Sequence, residues 1–476
     1  MKNVTNIFKN ALLVLQLLLT IIFIGVLWGT KLLPIKFMLV ILVVLSLVLG
    51  VCFLLQYKRK KISIFGAVIS VLMMIILLIG TYYVTKANGI MKEVGGASYK
   101  IDKMVVVVKK DDGADNILDA QDYRFGIQTS LDQENTALML EDIKTTVGKE
   151  IKVVEYGTIV EEAQALLDGR VRAAVYNEAF TEIIEDSIED YSEKIKVIYQ
   201  YGIETALEVE EVDVEKPFNV YISGIDVAGD ISTNSRSDVN IIMTVNPVTH
   251  HIVLTTTPRD YYVQIPEISG EQKDKLTHAG IYGVDVSMAT LENLYNIDIS
   301  YYARVNFTSL IKIVDALNGV DVYSEYAFSA GGNDFVHGTN HMNGEQALAF
   351  SRERYSLEGG DNQRGKNQEA VLKAILEKAM SPAILTNANQ IISSVADSVE
   401  TNMTQEEMAK LINMQLESGS GWYIETLAAT GTGDNQACYS SGSQSLYVMQ
   451  PDQASVQSLQ SKMRSVMLEE PMKKAK

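Results

Sequence analysis

Five short runs between residues 222 and 369 hold the side chains best suited to chemistry: ISGID (222–226), RSD (236–238), TTPRD (256–260), SRER (351–354) and GGDNQRGKNQE (359–369). Each places Asp or Arg in or beside a turn at the edge of an apolar segment. Carboxylates such as Asp226 and Asp238 are hard oxygen ligands for a cation of the Mg²⁺ kind. Guanidinium forks, here those of Arg236, Arg259, Arg352, Arg354 and Arg364, match phosphate oxygens in pairs. Together they point to a divalent metal and a multiply charged phosphate ester. Solvated ion pairs would use the same residue types at roughly 0–1 kcal/mol each, so spacing has to separate the two readings.

Spacing depends on the elements that carry these residues. VNIIMTV (239–245) and HIVLTTT (251–257) flank the turn NPVTH and predict a hairpin. With that turn centred near Val248, Asp238 faces Pro258–Arg259, which makes Arg259 a rim arginine. Asp226 lies just past the strand FNVYISG and shares that sheet edge. Arg236 and Asp238 are two apart, on one face of an extended chain. Arg352 and Arg354 share a face in the same way if SRER is extended. Arg364 and Gln368 are i and i+4 on a predicted helix over about 362–380, which Pro382 stops. Asp361 stands where its N-cap belongs, and a helix N-terminus is itself an anion site.

Amphipathic helices are predicted near 285–296 and 306–318, the second closed by Asn318-Gly319. VDVYS (320–324) is a strand, a helix opens near Gly344, another covers 404–417, WYIETLAA (422–429) is a late strand, and a helix over 452–467 follows. The five histidines lack metal-ligand spacing, and His250 and His251 fall in the hairpin turn. No serine-nucleophile motif, Walker loop or dinucleotide fingerprint occurs.

Ahead of this region, residues 101–212 alternate strand and helix: MVVVV (104–108), a helix over 136–147, IKVVEY (151–156), a helix over 160–170 closed by Gly169, and AAVYN (173–177). That rhythm predicts a small α/β domain, similar in rhythm to half of a solute-binding protein, with spacing or partner docking as its expected role. Residues 85–100 mix Gly, Ser and Lys and read as a linker.

Three apolar segments open the chain, at about 11–30, 37–57 and 62–84, each long enough to span a hydrocarbon core of about 30 Å. Residues 1–92 contain ten Lys or Arg and no acidic residue, which leaves 31 of the 41 basic residues against all 59 acidic ones beyond them, a balance of −28. So acidic a remainder is a poor general binder of nucleic acid, and any anion it handles needs a local basic pocket. Lys58-Arg59-Lys60-Lys61, with Lys2 and Lys9, marks the cytoplasmic side. Lys31 and Lys36 then face outward, and three crossings place residues 85–476 outside the cell. The two cysteines, Cys52 and Cys438, are implausible disulfide partners, which suits a Gram-positive cell surface.

At these motifs the chain resembles the LytR-CpsA-Psr family of Gram-positive envelope enzymes. The resemblance covers about 217–382, and more weakly to 450. VYISGID, RSDVNIIMTVNP, TTPRDYYV, KLTHAG, YYARVNFTSLIKIVDALNGVDV and HMNGEQALAFSRERY with GGDNQR carry it, in order. The three spans and the inserted domain are similar to capsule-type members. The resemblance implies an α/β fold of α+β character: three transmembrane helices in 1–92, an accessory α/β domain over 101–212, and a catalytic domain over 217–467 with a central mixed sheet flanked by helices. It implies a phosphotransferase that moves a glycopolymer from a polyprenyl pyrophosphate to peptidoglycan, beside other wall-polymer or capsule machinery. Asp226 and Asp238 would hold Mg²⁺ or Mn²⁺. Arg236, Arg259, Arg352, Arg354 and Gln368 would grip the pyrophosphate, with Asp361, Arg364 and Lys275 in support. YGVDVS (282–287) lacks the paired glycines usual after the tyrosine, and Lys366 stands where a second arginine is common. Helices 285–296 and 306–318 are the expected walls for a prenyl chain. A membrane-bound regulator without turnover, and a pyrophosphatase using water as acceptor, are the competing readings.

Overall fold

The computed structural model describes residues 2–58, 60–96, 99–207, 212–225, 231, 233–357, 360–380, 399–442 and 444–470, without the side chains of 2–6, 60, 93, 94, 307, 361 and 362. Asp226 and Pro382 thus lie outside the described residues, as does the Asp361 side chain.

The apolar runs form α1 (Lys2–Thr30), α2 (Ile35–Gln56) and α3 (Lys60–Val94). All three are long and apolar enough to cross a bilayer. They pack closely: a Cβ on Gly80 of α3 would lie 2.9 Å from the Phe23 ring of α1. Trp28, Tyr82 and Tyr83 are exposed at one end of the bundle, in the manner of an interfacial aromatic belt. The expected linker over 85–100 is mostly helix, because α3 runs on to Val94. An already nucleated helix extends at little cost, even through Gly89.

The accessory domain comprises β1 (Tyr99–Lys109), β2 (Arg124–Gln128), α4 (Gln133–Val147), β3 (Lys152–Tyr156), α5 (Ile159–Leu167), β4 (Ala173–Asn177), α6 (Thr181–Glu185), α7 (Tyr191–Lys194) and β5 (Ile195–Ala206). Its sheet runs β3-β2-β4-β1-β5, parallel through β3, β2 and β4 and antiparallel at β1 and β5. Thr158 caps α5 through Glu161 N, and Gly169 ends that turn at φ +75, as its position in the sequence predicts.

The second domain begins with β6 (Phe218–Ile225), β7 (Ser237–Asn246) and β8 (His251–Thr256). The short pair β9 (Tyr262–Val263) and β10 (Asp274–Lys275) leads into α8 (Leu276–Tyr282), α9 (Val284–Tyr295), β11 (Tyr301–Asn306) and α10 (Phe307–Ala316). Then come β12 (Val320–Ser324), β13 (Phe328–Ala330), β14 (Asn333–Phe335), β15 (Gly338–Met342), α11 (Gly344–Arg352) and α12 (Gly360–Ala379). Last are β16 (Val399–Thr401), α13 (Gln405–Ser418), β17 (Tyr423–Ala428), β18 (Gly431–Ala437), β19 (Ser445–Pro451) and α14 (Gln453–Met467).

The central sheet is mixed, in the order β16-β11-β6-β7-β8-β17, with β6/β11 and β8/β17 parallel. β6 and β8 are buried along their whole length, as strands covered on both faces must be. One face packs Tyr221 and Ile242 against α9 and α14 through Leu291, Tyr295 and Met463. The other packs Val220, Ile241 and Leu254 against α12 and α13 through Leu372, Leu376 and Leu411. α9 belongs to the first core, whereas Val314 and Leu317 at the end of α10 join a separate cluster with Phe335, Phe350 and Val371.

The membrane bundle meets α13 directly. Lys31 Nζ pairs with Glu406 at 3.0 Å, Asn413 Nδ2 donates to Lys31 O at 2.9 Å, and Lys36 Nζ donates to Glu417 O at 3.3 Å. The α1–α2 turn and the soluble domains therefore share one side of the bundle. Lys9 sits at the opposite end, donating to Gln56 O at 2.9 Å.

Candidate functional site

The hairpin does what its register predicts. Ile241 pairs with Thr256, so Asn240 comes opposite Thr257, whose N–H donates to Asn240 O at 2.8 Å. Two residues further out, Arg259 Nη1 donates to Asp238 Oδ1 at 2.7 Å. Asp238 is aimed by a bulge: Gly224 pairs with Val239 but Ile225 pairs with Ser237, leaving Asp238 as the extra residue. Gly224 is required there, since a Cβ would meet Val239 Cβ at 2.6 Å.

Opposite this edge stands the first part of α12. Arg364, Gly365 and Gln368 face Asp238, Asn240, Thr256–Arg259 and Ala428–Ala429 across one pocket. It opens at the carboxyl ends of the parallel pair β8/β17, where open α/β sheets commonly take ligands. Gly365 allows the approach, a Cβ there lying 3.0 Å from Thr256 Cγ2. Asp238, Arg259, Arg364 and Gln368 are therefore brought together as expected.

Other expected site residues lie differently. Arg259 is less of a rim residue than its position in a turn suggests: its side chain is 21% exposed, with Asp260 3.8 Å from Nε. Lys275 is one carboxylate removed, with Nζ 3.4 Å from Asp260 Oδ1, and does not line the pocket. Arg352 and Arg354 do not share an extended face, because α11 continues through Arg352 and the chain becomes extended only at Glu353. Arg354 lies over the Tyr355 ring at 4.6 Å. Asp361 is inside the first turn of α12, which starts at Gly360, and is not its N-cap. Lys366 pairs with Glu325 at 3.3 Å, away from the pocket. Arg236 does not line the pocket either: its Nε donates to Glu182 and its Nη1 to Asp186 Oδ2 at 3.2 Å, both in the accessory domain.

Two residues escaped the sequence reading. Glu369 is 3% exposed behind the pocket wall, and its Oε1 accepts from Thr256 N at 2.9 Å. Burial pushes its carboxyl from 4.5 up to about 8, so at neutral pH it carries a proton and does not cancel the pocket's arginines. Arg304, a lone cation in the strand YYARVN, is 2% exposed and donates from Nη2 to Thr233 O at 2.7 Å. Arg304 interrupts an otherwise largely apolar strand, and that is the signal that could have found it; Glu369 sits in the polar run GDNQRGKNQE and gives none. Of the histidines, His250 takes φ +55 in the hairpin turn, whereas His251 opens β8. His278 is wholly buried, with Nδ1 2.7 Å from Asp274 Oδ1 and 3.0 Å from Ser440 Oγ.

Among the described residues no three His, Cys, Asp or Glu side chains cluster around a metal position. Mg²⁺ needs no such cage: it takes one or two carboxylates and completes its shell with phosphate oxygens and water. Asp238 offers a carboxylate of that kind, with Arg259 and Thr277 both donating to its Oδ1.

A profile of the LytR_cpsA_psr family matches residues 179–465. A profile described as DNA polymerase processivity factor matches residues 58–176, from α3 into the accessory domain. A protein named polyisoprenyl-teichoic acid--peptidoglycan teichoic acid transferase TagU from Bacillus anthracis is 36% identical over 200 residues, 42% of this chain and 65% of its own length. The protein of the same name from Enterococcus faecalis is 37% identical over 199 residues, 41% of this chain and 65% of its length. The chain thus spans just under two thirds of those relatives. Solved structures with likeness include B. subtilis TagV, at TM-score 0.46 and 26% identity over 54% of this chain and 99% of that one. TagT bound to LI-WTA gives TM-score 0.43 and 26% identity over 55% and 94%.

Proposed function

This chain belongs to the LytR_cpsA_psr family, and from that membership and the pocket we propose that it is a membrane-anchored, extracytoplasmic phosphotransferase. Its donor is a glycopolymer, of capsular or teichoic type, on a polyprenyl pyrophosphate; its acceptor is a peptidoglycan hydroxyl. The observation that carries this reading is the convergence of Asp238 and Arg259 from one hairpin with Arg364 and Gln368 from α12.

Phosphoryl transfer asks mainly for positioning and for neutralisation of charge on non-bridging oxygens. Arg259 and Arg364 are placed for that, and Gln368 adds an amide donor from the same helical face. The acceptor hydroxyl oxygen bonds to the phosphorus bearing the glycan as its proton passes to solvent, the bridging P–O bond breaks, and a prenyl phosphate leaves with the electron pair. A magnesium ion held by Asp238 together with Asp226 would neutralise charge on the pyrophosphate. Asp238 keeps Arg259 oriented through their 2.7 Å bond. The neutral Glu369 fixes the backbone at Thr256, the wall from which Arg259 extends. The α1–α2 turn docked on α13, together with the basic residues at the bundle's far end, supports an outward-facing site.

The test is the full chain in lipid nanodiscs, with a polyprenyl-pyrophosphate-linked glycan, peptidoglycan acceptor, and Mg²⁺ or EDTA. Mg²⁺-dependent polymer attachment is expected. Phosphate release without attachment would replace this reading by hydrolysis, and inert protein would replace it by regulation.

A further inference from the structure

Residues 233–236, just ahead of Asp238, are bound by the accessory domain as much as by their own. Thr233 bridges Ile101, and Asn234 N donates to Ile101 O at 3.0 Å. Asn234 Nδ2 donates to Asp102 Oδ1 at 3.0 Å, a carboxylate that also accepts from Asn177 and is 6% exposed. Arg236 reaches Glu182 and Asp186. On the other side Arg304 holds Thr233 O, and Gly280 of α8 lies so close that a Cβ would meet Ser235 O at 2.6 Å and Ser237 N at 2.8 Å. Lys100 completes the seam by pairing with Asp285 at 3.0 Å and donating to Tyr282 O at 2.8 Å.

Resting on the function proposed above, we infer that the accessory domain is a working part of the transferase site: Asp102, Glu182 and Asp186 are positioning residues that hold Thr233–Arg236, and through it Asp238, at the pocket rim. A spacer domain would not need to bind the residues that lead directly into the strand delivering a site carboxylate. Its ties to Thr233, Asn234 and Arg236 stop two residues short of Asp238, where the bulge begins. With Nε and Nη1 of Arg236 taken, Nη2 is the part of that guanidinium not engaged by Glu182 or Asp186.

The sign of the effect separates positioning from plain charge. Replacing Glu182 and Asp186 by amides removes two negative charges near an anion site, which by electrostatics alone tightens anion binding. Loss of positioning weakens it. The side chains of Glu182 and Asp186 are 42% and 29% exposed, so the double variant Glu182→Gln/Asp186→Asn is expected to fold. In the full chain, amide exchange over 233–239 should quicken about tenfold while β8 is unchanged. Mg²⁺-dependent binding of farnesyl pyrophosphate should weaken about tenfold, and in an Arg236→Ala background the double variant should add nothing further. Unchanged exchange, tighter binding, or an equal loss with and without Arg236 would overturn the inference. If wild-type protein binds no farnesyl pyrophosphate, the proposed function fails, and the exchange result still decides whether the accessory domain holds the segment.

Discussion

Glu369 makes the pocket's stability depend on pH in a direction opposite to most carboxylates. The unfolded chain releases this proton near 4.5 and the folded chain near about 8. Below the lower value both states are protonated and the folded state has its full advantage. As pH rises towards the upper value, the unfolded state alone gives up its proton and is favoured, so stability falls. At about 1.36 kcal/mol for each tenfold, the gap sets an upper limit of about 5 kcal/mol lost between pH 4.5 and 8. Glu369→Gln stays neutral throughout and can still accept from Thr256 N. Its apparent Tm should match wild type at pH 4 and exceed it at pH 8.5, at about 2 °C for each kcal/mol in a chain of this size. Thermal melts of the full chain in detergent, both proteins at both pH values, are the assay. A constant offset between them, or a wild type that gains stability relative to Gln with rising pH, would refute the reasoning.

Arg259→Ala should lower transfer by about 10²–10³-fold through loss of a donor to the charged oxygens. It should also cost about 2 kcal/mol, because a charged hydrogen bond to the partly buried Asp238 is lost, so a Tm fall of about 4 °C accompanies it; an unchanged kcat/KM in folded protein would remove Arg259 from the site. Gly365→Val should block the approach of α12 to Thr256 and reduce both pyrophosphate binding and transfer, while Lys366→Ala, whose partner is the exposed Glu325, should leave both within twofold or so. EDTA should abolish transfer, with Mn²⁺ restoring it, measured by polymer attachment in nanodiscs. Glu406→Ala breaks an exposed pair and should leave Tm unchanged, which a melt checks directly.

Much of this molecule was determined by local pattern. Three unbroken apolar runs can only be long helices that need lipid or each other. The turn between 246 and 250 sets the hairpin register, and once Ile241 faces Thr256 the pairing of Asp238 with Arg259 follows. Helical periodicity likewise puts Arg364 and Gln368 on one face. The family resemblance rests on motifs of this same local kind.

What the tertiary structure decided are the matters that depend on a distant partner. Arg236 and Arg259 look alike as residues beside a turn, yet one is drawn to Glu182 and Asp186 and the other to Asp238. SRER reads as extended, but packing of α11 through Ala347 and Phe350 carries the helix to Arg352. Glu369 reads as one more polar helix residue; only the closeness of β8, admitted by Gly365, buries it and keeps it protonated. Propensity and spacing act over a few residues, whereas burial and charge pairing are set by chain brought in from far away, and it is these that assign each arginine and carboxylate its work.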